Sequence, residues 1–187
     1  LSGLARDGGL YVPEYWPNFS YKKLLELKKL DYSSLASEII KPFVGTNLKK
    51  KIDSISKSVY SNFYNKDIAP LVKLSENLYV MELFHGPTLA FKDYAMQYLL
   101  ELFDEVLLEK KKKIVILGAT SGDTGSAALE AFKSKKKSNI FILFPFNRVS
   151  QVQQKQMTSI HELGTESIAL KTDFDGCQNV VKKLFND

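Results

Sequence analysis

Residues 114–126 read Ile114-Val115-Ile116-Leu117-Gly118-Ala119-Thr120-Ser121-Gly122-Asp123-Thr124-Gly125-Ser126, and this stretch decides the fold. Ile114 to Leu117 are apolar without a break and have the length of a buried strand. Small and hydroxyl-bearing residues replace them from Gly118, and a helical pattern then runs from Thr124 to Phe132. The same succession recurs downstream: a strand over Asn139 to Phe144, a helix over Gln151 to Leu163, a strand over Ser167 to Lys171 and a helix over Cys177 to Phe185. Short strands alternating with helices predict an α/β fold, a parallel sheet with flanking helices.

Upstream the pattern differs. Gly3, Gly8, Gly9, Pro13 and Pro17 punctuate residues 1–20 as irregular chain. Leu24, Leu25 and Leu27 suit one helix, and Leu35, Ile39, Ile40 and Phe43 a second. Leu48, Ile52, Ile55, Val59 and Phe63, spaced by three and four, predict one face of a third. After Pro70, Leu78 to Phe84 reads as a strand, and Thr88 is placed to cap a helix through Leu89, Met96, Leu99, Leu100 and Phe103. The expected division is a mainly helical N-terminal segment, 1–75, and an α/β portion, 76–187. The latter is expected to be truncated, since it ends where one more β-unit is due.

Composition narrows the function. The 187 residues are 44% hydrophobic and 25% charged, which excludes a disordered or rod-like chain. A single cysteine, Cys177, excludes a disulfide framework or multi-cysteine zinc site and fits a reducing, cytoplasmic setting. No apolar run approaches the roughly 20 residues of a membrane span, and no signal peptide is visible. The net charge of +5 comes from lysines: only Arg6 and Arg148 of the 26 basic residues are arginines. The runs Lys110 to Lys113 and Lys135 to Lys137 follow helical patterns and lack interleaved aromatics. They are read as solvated helix ends rather than a nucleic-acid surface.

Two strand-to-helix junctions carry chemistry. In Phe84-His85-Gly86-Pro87-Thr88-Leu89-Ala90-Phe91-Lys92-Asp93-Tyr94, a lysine stands at the start of an apolar helix beyond a Gly-Pro turn. Ligands bind at that edge of open parallel sheets. A helix N-terminus and partial desolvation both disfavour an ammonium ion, and a neutral amine is what Schiff-base chemistry needs. The other reading is a surface lysine paired with Asp93 or Glu82. The second junction is the opening stretch. Its hydroxyls and N–H groups at a helix N-terminus suit a carboxylate or phosphate; alternatively it is a tight turn capped by Ser121 or Asp123. It lacks both the Gly-Lys-Ser/Thr of a Walker loop and the dinucleotide glycine pattern. His85 reads equally as a site acid–base or as a cap of the Gly-Pro turn. His161, on the helix over 151–163, lacks a second ligand at metal spacing. Cys177 reads as packing, and Tyr64, Tyr94 and Tyr98 as core or interface aromatics.

Together the junctions resemble a family. Phe84 to Asp93 resembles the pyridoxal-phosphate lysine segment of threonine synthases, and Ala119 to Gly125 resembles their substrate-carboxylate loop. Gly3 to Glu14 is similar to their N-terminal segment, and Arg148-Val149-Ser150 with Gln154, Gln156 and Met157 to the stretch after their next strand. The resemblance implies a tryptophan synthase β-like fold, that of fold-type II pyridoxal-phosphate enzymes. It implies that Lys92 binds the cofactor covalently and moves protons, and that Asp123 lies near the cofactor's phenolic oxygen. Thr120, Ser121, Gly122, Asp123 and Thr124 would bind the substrate carboxylate, and Phe91 either contacts the cofactor ring or belongs to the core. The implied reaction converts O-phosphohomoserine and water to threonine and phosphate. It also places the cofactor-phosphate loop and much of the substrate-phosphate site beyond residue 187. The chain alone is therefore expected to lack turnover and to expose surface that favours self-association. The rival readings are a phospholyase acting on another γ-phosphorylated amino acid, and a non-catalytic chain that binds an anion or a partner.

Overall fold

A computed structural model describes residues 5, 7, 9–133 and 138–186. Gly3, Leu4, Arg6 and Gly8 of the N-terminal segment, and the run Lys135 to Lys137, lie outside the described residues. The chain divides into two compact units, Leu1–Tyr60 and Ser61–Asp187.

The first unit is helical: α1 (Tyr21–Leu27), α2 (Tyr32–Ile40), a 3-10 turn (Lys41–Phe43), α3 (Thr46–Lys49) and α4 (Ile52–Tyr60). Ser20 and Asp31 cap α1 and α2, their side chains accepting from the N–H groups of Lys23 and Ser34. α4 buries Ile52, Ile55, Val59 and Tyr60, one face at helical spacing. The third expected helix is broken: α3 stops at Lys49, α4 starts at Ile52, and Phe63 lies beyond its end.

The second unit begins with an antiparallel hairpin, β1 (Leu71–Ser75) and β2 (Leu78–Met81), in which Leu71 faces Met81 and Val72 faces Val80. β1 went unseen in the sequence, and the expected strand to Phe84 stops at Met81. There Glu82 N–H still reaches Pro70 O (3.0 Å), while His85 O accepts instead from the N–H of Tyr64 (2.8 Å). Every residue of both strands is exposed.

α5 (Asp93–Lys110) leads into the parallel sheet. β3 (Ile114–Ala119), β4 (Ser138–Pro145) and β5 (Thr165–Leu170) lie in that order, with α6 (Asp123–Phe132), α7 (Gln151–Thr158) and α8 (Phe174–Asn186) following them in turn. The α/β fold with a parallel sheet and flanking helices is therefore present. The central strand β4 carries the core: Ile140, Ile142 and Phe144 alternate onto one face against Leu129 and Phe132 of α6, Leu100 of α5 and Met157 of α7. α7 is shorter than expected. The hydroxyls of Thr158 and Ser159 donate back to the carbonyls of Gln154 (2.9 Å) and Gln156 (3.2 Å), bonds that compete with helix continuation. Among the described residues no helix is long and apolar enough to cross a membrane.

Phe144 is 2% exposed. Phe144→Ala is expected to cost about 3–5 kcal/mol in urea unfolding. Leu74→Ser on the exposed hairpin should stay within about 0.5 kcal/mol.

Candidate active site

The register of β3 with β4, from Ile114 opposite Ser138 to Ala119 opposite Leu143, brings the C-terminal ends of both strands to one sheet edge. The loops leading to α6 and α7 start there, as does the position where parallel sheets bind ligands.

At the β3–α6 junction the cap is Gly122, not Ser121 or Asp123. Its φ of +148° lies where side chains are rarely tolerated, and a Cβ there would overlap the side-chain amide of Gln153. Thr120, 2% exposed, braces the turn. Its Oγ1 accepts from the N–H groups of Gly122 (3.0 Å) and Gly125 (2.9 Å), and its own N–H donates to Leu143 O (2.9 Å). Thr120 thus stands behind the loop. The N–H groups of Ser121, Asp123 and Thr124 donate to nothing among the described residues, as expected for the first turn of a helix. Ser121 is exposed, Asp123 and Thr124 half-buried.

The lysine junction is built differently from expectation. Thr88 does not cap a helix at Leu89; α5 begins at Asp93, with Lys92 in its N-cap position. Asp93, 0% exposed, accepts from Thr88 N–H at Oδ2 (2.8 Å) and from the Thr88 hydroxyl at Oδ1 (2.8 Å). These bonds fold residues 88–92 into a loop, with Leu89 at φ +61°. Gly86 makes it possible: a Cβ there would sit 2.6 Å from Asp93 Oδ2. Burial pushes the Asp93 carboxyl above the usual carboxylate range, assisted by Glu130, while bonds from Thr88 and the Ala90 backbone pull it down.

Lys92 therefore does not pair with Asp93, whose oxygens are taken by Thr88, nor with Glu82, which accepts from His85 Nε2 (2.7 Å). No carboxylate lies within ion-pair distance of Lys92 among the described residues. Its Nζ lies 4.9 Å from the centroid of the Phe91 ring, and that ring is 53% exposed, not core. A half-buried primary amine beside an open aromatic face fits attachment of a planar aromatic aldehyde such as pyridoxal phosphate.

One helix joins the two junctions, and the sequence did not single out the residue that does most of it. Gln153 of α7 donates through Nε2 to Asp123 Oδ1. Three positions on, Gln156 Nε2 donates to Thr88 O (2.9 Å). The available signal was Ser150-x-x-Gln153, a capping-box pattern at the start of a helix. Elsewhere, His161 lies in the exposed loop after α7, Cys177 is fully buried, Tyr98 is core and Tyr64 exposed. Tyr94 OH donates to Ile68 O (2.6 Å). No group of three His, Cys, Asp or Glu side chains able to hold a metal occurs among the described residues.

The parallel sheet and its flanking helices have the fold of fold-type II pyridoxal-phosphate enzymes. Within it, the chain matches the N-terminal part of threonine synthase. Residues 1–69 match the family described as threonine synthase N terminus. The threonine synthase of Pseudomonas aeruginosa is 47% identical over 100% of this chain and 40% of its own length. The pyridoxal-phosphate-bound threonine synthase of Brucella melitensis superposes with a TM-score of 0.91 at 45% identity, over 99% of this chain and 40% of that one. The yeast enzyme superposes equally, at 0.91 with 38% identity, over 99% of this chain and 39% of its own. This chain spans about 40% of the length of the curated relatives it matches.

Two outcomes follow. Thr120→Val should destabilise the second unit by about 1–3 kcal/mol for each N–H it strands, read from urea midpoints. Asp93 is neutralised more readily folded than unfolded. Its contribution is therefore complete below the ordinary carboxylate range and is lost as pH rises through its own raised value. The stability of the native chain minus that of Asp93→Asn should shrink from acid to neutral pH; a difference that grows would contradict the burial effect.

Proposed function

We propose that this chain supplies the cofactor-binding lysine and the substrate-carboxylate loop of a threonine synthase, which converts O-phosphohomoserine and water to threonine and phosphate. The observation that carries the reading is the double tie from α7, Gln153 to Asp123 and Gln156 to Thr88, which holds the lysine turn and the N–H loop to one scaffold.

In this reading Lys92 holds pyridoxal phosphate through Nζ, Phe91 flanks it, and Asp123 lies near it. When bound, the cofactor stores the electrons released as substrate bonds break. The N–H groups of Ser121, Asp123 and Thr124 and the hydroxyls of Ser121 and Thr124 receive the substrate's α-carboxylate, favoured by the α6 N-terminus. Gly122 contributes the turn, and Thr120 keeps the loop in shape from behind. Lys92, once released from the cofactor, takes and returns protons at the substrate's carbon atoms, a role suited to an amine unpaired with any described carboxylate. We also place the protein in the cytoplasm, as its lone buried thiol supports. The exposed apolar residues of the β1–β2 hairpin support self-association.

The test is a chimera in which residues 1–187 replace the matching 40% of the Pseudomonas aeruginosa enzyme. It should bind pyridoxal phosphate, with borohydride fixing the cofactor on Lys92 in peptide mapping. It should also release phosphate and form threonine from O-phosphohomoserine. Lys92→Ala should abolish both the labelling at that peptide and turnover, by at least about 1,000-fold. Phosphate release without threonine would assign the chain to a different phospholyase. A folded, cofactor-loaded chimera that releases no phosphate would overturn the reading.

A further inference from the structure

Asp123 occupies the first helical position of α6, where a carboxylate interacts favourably with the helix N-terminus and readily bonds nearby N–H groups. Such a carboxylate would compete with any anion brought to the loop. Yet Asp123 accepts from Gln153 and from no N–H of the loop among the described residues.

The surroundings are built to keep it so. Ser150 caps α7, its Oγ accepting from Gln153 N–H (3.2 Å) and donating to Gln153 Oε1 (2.9 Å). That second bond fixes which end of the amide faces Asp123: with Oε1 taken by Ser150, Nε2 points to the carboxylate. In a capping box the glutamine at this position would turn back to the backbone N–H of its own cap; here it is diverted across to α6. The approach requires a glycine at 122, because a Cβ would overlap the Gln153 amide. Ser126 Oγ, reaching Gln153 O (3.4 Å), and Gly125, where a Cβ would sit 2.9 Å from Met157 Sδ, keep α7 close along the same face.

We propose that Gln153 is a positioning residue that holds the Asp123 carboxylate off the α6 N-terminus, so that the N–H groups of Ser121, Asp123 and Thr124 stay open to the carboxylate of the substrate. Without it, Asp123 swings onto those groups and acts as an internal competitor. This rests on the carboxylate-loop reading above.

The chimera described above, carrying residues 1–187 unaltered, labelled with nitrogen-15 and kept free of cofactor so that no turnover intervenes, is titrated with O-phosphohomoserine while the amide signals of Ser121, Asp123 and Thr124 are followed. It should bind through these amides. Gln153→Ala, and Gln153→Met, which keeps length and packing but has no donor, should bind about tenfold more weakly at neutral pH. Adding Asp123→Ala to Gln153→Met should restore binding to within about twofold of Asp123→Ala alone. A purely structural role for Gln153 would not give this rescue. Failure of O-phosphohomoserine to shift these amides in the unaltered chimera overturns the loop reading, and the inference with it. Equal affinity of the folded Gln153→Met chimera and the unaltered one overturns the inference alone.

Discussion

The parallel pairing of β3 with β4 is the constraint on which the rest depends. Six successive residue pairs, from Ile114–Ser138 to Ala119–Leu143, bring the C-terminal ends of both strands to one sheet edge, β4 running two residues further. The chain must then turn twice at the same edge, once into α6 and once into α7. Because β4 is buried along nearly its whole length, a one-residue slip would turn Ile140, Ile142 and Phe144 out of the core. The packing that stabilises the unit therefore also fixes where Asp123 meets Gln153. Stability and site geometry share one set of contacts.

Each junction solves the same difficulty in its own way: irregular backbone at a buried edge must find hydrogen-bond partners. At β3–α6 a single threonine oxygen serves two N–H groups, leaving three others without a partner among the described residues. Before α5 a buried carboxylate accepts from the N–H and the hydroxyl of Thr88, and the lysine beside it is left without an acidic partner among the described residues. Burying a charge-bearing group next to Lys92 is costly. The cost is offset by two close bonds and by a glycine that lets the backbone approach.

The sequence was most informative where chemistry depends on neighbours in the chain. The alternation of strand and helix after residue 110, the placement of Lys92 at a helix start, and the hydroxyl-rich turn after β3 were all legible, because period and small residues are local signals. It was least informative where short segments compete. α5 began four residues after its expected start because Asp93 captured Thr88 for a loop. The third helix split at Lys50–Lys51, and β1 escaped because it is only five residues long and exposed throughout, so no burial pattern marks it.

By itself, then, the sequence determined the class of fold, the family whose N-terminal part the chain matches, and the residue types of both junctions. Only the tertiary structure decided what those residues do to one another. Gln153 reaches Asp123 across 30 positions and Gln156 reaches Thr88 across 68. Separations of that size carry no local pattern. They are set by strand register and helix packing, which exist only once the core around β4 is assembled.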